Sequence, residues 1–545
     1  MTKFKPSAAQ QRFYDWVSNE SGNCILNAVA GAGKTTTIMH GIEKMRGTVW
    51  FGVYNKKMAD EIKEKLAGNR KLAKRAQFKA QEQVTASTFH SLGSSLVRSI
   101  TYPNRADVDD KKVAKIVDSI ILEKEAHAQQ ERDDLRALAP TIIRLVSMAK
   151  NRGFVPASQV RNGLSNWDDV AAWQAMADHF DIGDTLDFDE IDTAIGFART
   201  VLRRSTKDIA TIDFDDMVYL PLARKMNLKP WHRFQWVLID EAQDTNPTRR
   251  ALAELVLAPG GRLVAVGDPH QAIYGFTGAD NDSLEQIRYA FDAIELPLTT
   301  TYRCPKNVVA HAQQWVSHIE AHDNNADGEV ITQPYMDFVD ALPNIDRAAY
   351  GETAILCRFN KYLVGLCFKM IRMGLPAKIE GRAIGDGLVK LATRWKSAKT
   401  VNGLTTKLEA YQEREIAKAT AKGNEAKVDR IVDEVATLMT IIDRVRGNGL
   451  DRVTDVVDAI EEIFADDVSG KNLITLCSAH KSKGLEWDTV YLLDREALMP
   501  SARAKKDWEV AQENNLIYVA VTRAKQTLVE VTGVVEENDP TKREE

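Results

Sequence analysis

Apolar and polar positions change rhythm several times along the chain, and each change predicts a change of element. Near the N-terminus short apolar runs alternate with amphipathic stretches: NCILNAVA, a glycine-rich loop, TTTIMHGIEKM, TVWFGV, NKKMADEIKEKL and QVTAST. Short apolar runs read as strands and period-3.6 stretches as helices, so this is βαβα with a parallel sheet. From about residue 104 to 210 the rhythm breaks into long helical patterns (DDKKVAKIVDSIILEKEAHAQQ, DDLRALAPTIIRLVSMAK), which predicts a helical insertion. Strands return at QWVLIDEAQD and RLVAVGDPHQ, apolar runs that end in acidic residues, as expected where parallel strands deliver side chains to a ligand crevice. A second α/β set follows: TAILCRFN, a helix over 360–373, NLITLCSAHKSKG, DTVYLLD, a helix over 509–524 and QTLVEVTG. Between 386 and 469 lies another mostly helical block, with Gly423 as a break between its helices, and the tail 536–545 is expected to fray.

The domain count follows from length: 545 residues at about 150 per domain give roughly three to four. At 44% hydrophobic and 27% charged, the composition is that of an ordinary folded chain rather than a disordered one. No apolar run approaches the roughly 18 residues that span a bilayer, and the N-terminus has no signal-peptide core, so an intracellular, cytoplasmic setting without membrane contact is expected. The cysteines, Cys24, Cys304, Cys357, Cys367 and Cys477, include no CxxC pair, which argues against a disulfide framework or zinc ribbon. His318 and His322 (HIEAH) are read as a solvated helix face rather than a metal site. A net charge of −5 excludes a globally basic nucleic-acid binder but not a basic groove: between Lys56 and Lys79 nine Lys/Arg face three acids.

The strongest chemical signal is AVAGAGKTT, residues 28–36, between a predicted strand and a predicted helix. Gly31 and Gly33 let the backbone approach a phosphate, the N–H groups from Ala30 and Ala32 to Thr36 and the helix dipole favour an anion, and Lys34 adds a point charge. Thr35 offers a hydroxyl to Mg²⁺, while Ala28 stands where the P-loop pattern has its first glycine. Asp240 and Glu241 follow the apolar run QWVLI, placed for Asp240 to hold Mg²⁺ through water and for Glu241 to orient and deprotonate an attacking water.

These motifs, in order, resemble superfamily 1 DNA helicases of the UvrD/Rep/PcrA type. After the P-loop come VYNKKMADEI, TFHSLG, IDFDDM, DEAQDTN, VGDPHQAIYGFTGAD, TTYRCP, AILCRFN, SAHKSKGLEWDTV and NNLIYVAVTRAK. The resemblance implies an α/β fold of two RecA-like parallel-sheet motor domains, each with a mostly helical insertion. The first motor would comprise 1–103 and 211–292 with insertion 104–210; the second would comprise 293–385 and 470–535 with insertion 386–469. It also implies Mg–ATP hydrolysis in a cleft between the motors, closure of which drives 3′ to 5′ translocation on single-stranded DNA.

By the same resemblance Gln10 would read adenine, with Gln11 the alternative register, and Tyr302 would stack on the base. Gln271 would sense the γ-phosphate, Arg303 and Arg523 would be arginine fingers, and Glu486 would touch the ribose. Strand contacts would come from Tyr54, Asn55, Lys56, Thr88, His90, Tyr274, Phe276, His480 and Lys483. The family's stacking phenylalanine is Val53 here, so either Tyr54 substitutes or that stack is absent. Implied partners are single-stranded DNA, single/double-strand junctions and a single-strand-binding protein, in repair, recombination or replication; stacking alone does not distinguish RNA. The second insertion is shorter than in bacterial members, which keeps open a translocase that strips proteins from DNA without unwinding. A nucleotide-switched DNA clamp is the third reading.

Overall fold

The computed structural model describes all residues except 1–4, 69–83, 124–128, 185, 225, 227, 276–277, 279–281, 381, 421–424, 464–471 and 538–545. The expected break at Gly423, most of the basic run after Gly68 and most of the C-terminal tail therefore lie outside the described residues. The chain divides into two compact units, one of residues 1–29 and 33–298, the other of 30–32 and 299–545.

The first unit is built on β1 (Asn23–Ala28), β2 (Val49–Val53), β3 (Val84–Thr88), β4 (Phe234–Ile239), β5 (Leu257–Gly267) and β6 (Ala293–Leu298), in the order β6-β1-β5-β4-β2-β3. Every pairing is parallel. The period-two rule sorts the strand residues into two cores. Leu26, Phe51, Leu238, Val264 and Val266 join one, with Phe13 and Trp16 of α1 (Ala8–Asn19) and Ile38 of α2 (Lys34–Ile42). Ile25, Trp50, Val237, Leu263 and Ala265 join the other, with Phe89 of α4 (Phe89–Thr101). Helix α3 (Lys56–Gly68) follows β2. The strand Ala293–Leu298, expected in the second motor, pairs with β1 through Asn23↔Ala293 to Ala28↔Leu298 and so completes the first sheet.

The first insertion is helical as expected: α5 (Lys112–Glu123), α6 (Gln129–Arg152), α7 (Val170–His179) and α8 (Phe188–Lys207). Short parallel ladders, 107–108 with 211–212 and 154–155 with 165–166, interrupt the helices. Helix α9 (Phe214–Ala223) begins beyond the expected insertion boundary, yet Tyr219, Leu220 and Leu222 are buried in the insertion's core. On its other side it meets α4 at Gly93, where a Cβ would stand 2.1 Å from the Met217 carbonyl oxygen. A buried ion network fastens this junction: Lys150 Nζ lies 2.5 Å from Asp213 and 2.8 Å from Asp216, and Lys112 Nζ lies 2.6 Å from Asp216. Lys112 also donates to the carbonyls of Ser205 (2.7 Å) and Asp208 (2.8 Å), so two ammonium groups are matched by two carboxylates away from water.

The second unit holds β7 (Glu329–Pro334), β8 (Thr353–Cys357), β9 (Ala377–Ile379), β10 (Ile474–Ser478), β11 (Trp487–Leu493) and β12 (Ala524–Thr532), in the order β7-β12-β11-β8-β10-β9, all parallel. Strands β8 and β10 are buried along their whole length, as strands covered on both faces are, and their sequences TAILC and ITLCS are mostly apolar with only small hydroxyl residues between. Helices α11 (Asn360–Arg372) and α12 (Arg382–Ala392) lead into α13 (Val401–Thr420), α14 (Glu425–Gly447) and α15 (Val453–Ile463). Asp433 of α14 accepts the backbone N–H groups of Asn360 (3.1 Å) and Lys361 (2.8 Å), capping α11, and Arg444 lies 4.1 Å over the Phe368 ring.

Two local expectations are corrected. Helix α16 (Asp507–Val521) ends before residue 524, because Ala524 already belongs to β12; Arg523 sits in the turn between them. His318 and His322 share no helix: His318 lies in a turn and Glu320–Ala321 is a short strand parallel to Thr300–Thr301. That pairing is made with residues some twenty positions upstream and leaves no trace in the HIEAH spacing.

Candidate nucleotide and strand sites

In the first unit the chemistry-bearing residues emerge where parallel strands end. After β1 the chain passes through Gly31 and Gly33, with φ of 72° and 74°, before α2 starts at Lys34. Side chains resist that left-handed backbone, so glycine is needed for a turn that aims N–H groups along α2. Lys34 and Thr35 are half-buried, Ala30 and Ala32 buried, and Thr36 exposed. Among the described residues no carboxylate forms an ion pair with Lys34.

After β4, Asp240 is buried and donates its N–H to the Gly52 carbonyl at 3.0 Å. Burial first, then the neighbouring Glu241 carboxylate, push the Asp240 carboxyl up to about 7, opposed by Lys34. Glu241 has φ of 51°, a conformation that costs a non-glycine residue energy and is kept where the surroundings enforce it. Gln243 provides that enforcement: its Nε2 donates to Glu241 Oε2 at 2.5 Å, and its Oε1 accepts the Asp268 N–H at 3.1 Å. Asp268, at the end of β5, accepts from Gln271 Nε2 at 2.8 Å, so Gln271 is fixed and buried. Gln243 and Asp268 stand inside the motifs DEAQD and VGDPHQ, but spacing gave them no role; their bridging becomes visible only when β4 and β5 are neighbours.

Gln10 is buried whereas Gln11 is exposed. Gln10 Nε2 donates to Thr37 Oγ1 at 3.1 Å, and its Oε1 accepts the Ser7 N–H at 3.0 Å. The helix carrying it is held by Arg262, whose guanidinium lies 4.0 Å from Trp16 and 4.4 Å from Trp236.

The expected strand contacts of this unit lie at the ends of β2, β3 and β5. Tyr54 is half-buried, parallel to Tyr274 at 6.0 Å and 9°, with Arg249 4.8 Å over its ring. Asn55 accepts the Met58 N–H at 2.9 Å and Lys56 is exposed, while Thr88 accepts the Ser91 N–H at 3.1 Å as the cap of α4. Burial first, then the Arg249 charge, hold His90 down at about 4, which favours its neutral form near pH 7. Phe276 lies outside the described residues.

In the second unit Tyr302 is 41% exposed, its ring 4.9 Å from His322, a neighbour that sequence reasoning had placed on a helix. Arg303 Nε pairs with Glu486 Oε2 at 2.5 Å. Arg523 is buried, donating to the carbonyls of Val519 (2.7 Å) and Leu485 (3.2 Å) and to Thr522 Oγ1 (3.1 Å). Burial, then Arg303, lower its guanidinium to about 10, still protonated at neutral pH. His480 is pressed down to about 3 by burial and by Arg358 and is likewise neutral, and Lys483 is half-buried. Arg358 itself is held by Glu513, with Nη2 2.8 Å from Oε1.

No helix among the described residues is long and apolar enough to cross a membrane. The UvrD/REP helicase N-terminal domain matches residues 9–292, and the UvrD-like helicase C-terminal domain matches 473–531. Among curated proteins, F-box DNA helicase protein 1 of Schizosaccharomyces pombe is 26% identical over 309 residues, covering 54% of this chain but only 34% of its own length. ATP-dependent DNA helicase PcrA of Staphylococcus aureus is 22% identical over 635 aligned positions, covering 94% of this chain and 81% of its own. ATP-dependent DNA helicase UvrD1 of Mycobacterium bovis is 22% identical, covering 95% and 81%. With the first of these domains matched over more than half its length, the chain belongs to the UvrD/REP helicase family, the superfamily 1 DNA helicases of the UvrD/PcrA type.

Proposed function

We propose that the chain is a DNA-stimulated ATPase that translocates 3′ to 5′ on single-stranded DNA and unwinds duplex at single/double-strand junctions. The observation that carries this reading is the arrangement at the strand ends of the first unit: Lys34, buried Asp240, left-handed Glu241 and Gln271 fixed through Asp268. A switch that merely binds nucleotide needs Lys34 and Asp240 but has no use for a strained, braced Glu241.

The residues suit Mg–ATP. Thr35 and Asp240 are hard oxygen donors, and one carboxylate with one hydroxyl is the sparse set that Mg²⁺ uses when phosphates and waters complete its shell. Burial, and then the neighbouring Glu241, raise Asp240, and a cation bound at the two adjacent carboxylates would relieve both. When bound, the nucleotide supplies the phosphoanhydride whose hydrolysis drives the motor. Backbone N–H groups of 30–36 and Lys34 hold its phosphates, and Gln10 and Tyr302 bind adenine while Glu486 reaches the ribose. Glu241 accepts the proton of the attacking water, Gln271 senses the γ-phosphate, and Arg303 and Arg523 stabilise charge as the bond breaks. Tyr54, Asn55, Lys56, Thr88, His90, Tyr274, Phe276, His480 and Lys483 contact the strand, with the two histidines as neutral hydrogen-bonding groups. The insertions are read as 104–210 and 386–469, and a single-strand-binding protein as a partner on DNA inside the cell.

A second reading, a translocase that strips proteins without strand separation, rests on the short second insertion, residues 386–469. Strand displacement on 3′-tailed and 5′-tailed duplexes, with single-strand-stimulated ATPase alongside, separates them. Displacement from the 3′ tail supports the helicase; stimulated ATPase without displacement of either duplex supports the stripping motor.

A further inference from the structure

We propose that Arg249 is a nucleic-acid contact, its guanidinium laid on Tyr54 serving as the cationic platform for the single strand where an aromatic face was expected. This rests on the DNA-motor reading above. The sequence left open whether Tyr54 replaces the missing phenylalanine at Val53. The ring of Tyr54 carries Arg249 at 4.8 Å and runs parallel to Tyr274 at 6.0 Å, so it is engaged by its own unit. A guanidinium is planar, stacks on bases and donates to phosphate oxygens, and can do the work of the absent ring.

The position of Arg249 is hard to explain by packing. It is the third residue of α10 (Pro247–Val256), capped by Asn246, where a cation opposes the positive end of the helix dipole. Its one side-chain hydrogen bond reaches the Asp244 carbonyl at 3.3 Å, and among the described residues no carboxylate pairs with it. The next residue shows what a structural arginine looks like here: Arg250 is buried and bonds to the Thr245 carbonyl at 3.0 Å, Ser283 Oγ at 3.3 Å and Gln286 Oε1. An anion arriving at Arg249 would satisfy both the guanidinium and the helix end.

The surroundings leave this role to Arg249. It lines a polar pocket with His90, Asn151, Asp215 and Asn246. His90 is neutral there. Lys150, also in the lining, has its charge matched by Asp213 and Asp216. The pocket's carboxylate, Asp215, is held by two residues of α6, accepting from Ser147 Oγ at 2.6 Å and Asn151 Nδ2 at 3.1 Å.

The test is the salt dependence of binding to a fluorescein-labelled thymidine oligonucleotide, measured by anisotropy on the full chain. One single-strand phosphate contact contributes about 0.7 to the slope of log affinity against log salt. Arg249→Gln is expected to lower the slope by about 0.7 and affinity about fivefold at 0.1 M salt, and Arg249→Lys to keep the wild-type slope. A wild-type slope in Arg249→Gln overturns the assignment, whereas a wild-type chain that binds no oligonucleotide overturns the DNA reading and the assignment with it. Should Arg249→Gln fail to fold, phenylglyoxal labelling of the wild type decides: the oligonucleotide should protect Arg249, and equal labelling with and without it overturns the proposal.

Discussion

The two sheets have the same strand count and all-parallel pairing, yet they prepare their charged groups in opposite ways. In the first unit the key carboxylates are under tension: Asp240 is buried beside Glu241, and Glu241 sits on a left-handed backbone braced by Gln243. In the second unit the key cations already have partners, Arg523 the carbonyls of Val519 and Leu485 and Arg303 the carboxylate of Glu486. Two adjacent carboxylates, one of them buried, favour a cation-bearing ligand, whereas arginines held by their own unit can present charge with little reorganisation. The contrast extends to the insertions, one fastened by buried ion pairs, the other by a helix cap and an arginine over a phenylalanine ring.

The sharpest test of that contrast is Asp216→Ala, which leaves Lys112 and Lys150 short of one carboxylate; it should cost about 3–5 kcal/mol in urea unfolding. Glu241→Gln should lower DNA-stimulated turnover by about 10²–10³-fold (roughly 3–4 kcal/mol) while nucleotide binding, followed by fluorescence of a labelled analogue, persists. Arg523→Ala should lose both turnover and about 2–3 kcal/mol of stability, because buried carbonyls lose their donor. Arg303→Ala should lose turnover with stability changed by no more than about 1 kcal/mol, since its ion pair is partly solvated. Equal stability losses for the two arginines would erase the distinction between them.

A smaller effect comes from pH. His90 at about 4 and His480 at about 3 lie below their unfolded values, so between pH 6.5 and 4 the unfolded chain binds more protons. Stability therefore falls as pH drops through that window. Allowing for their half-buried settings, each should contribute about 1 kcal/mol of loss between pH 7 and 5, which His90→Gln and His480→Gln should each reduce.

Much of this was legible beforehand where the signal is local. The P-loop's glycines, the apolar run before Asp240 and the existence of the helices expected over 360–373 and 509–524 follow from residues a few positions apart, although the second ends at Val521. Gln243 and Asp268 were in view but without roles, since their bond spans 25 positions and exists only because β4 lies beside β5. The HIEAH reading failed for the same reason: a parallel pairing with Thr300–Thr301 outweighed a spacing that suits a helix.

The sequence by itself determined the order of motifs, the alternation of strand and helix and the identity of the family, because periodicity and motif spacing act over short stretches of chain. Only the tertiary structure decided that His90 and His480 are neutral, that Gln10 rather than Gln11 is buried, and that Tyr54 lies beneath Arg249. Those facts depend on which distant groups share one low-dielectric neighbourhood, and the topology of the sheets, not local spacing, brings such groups together.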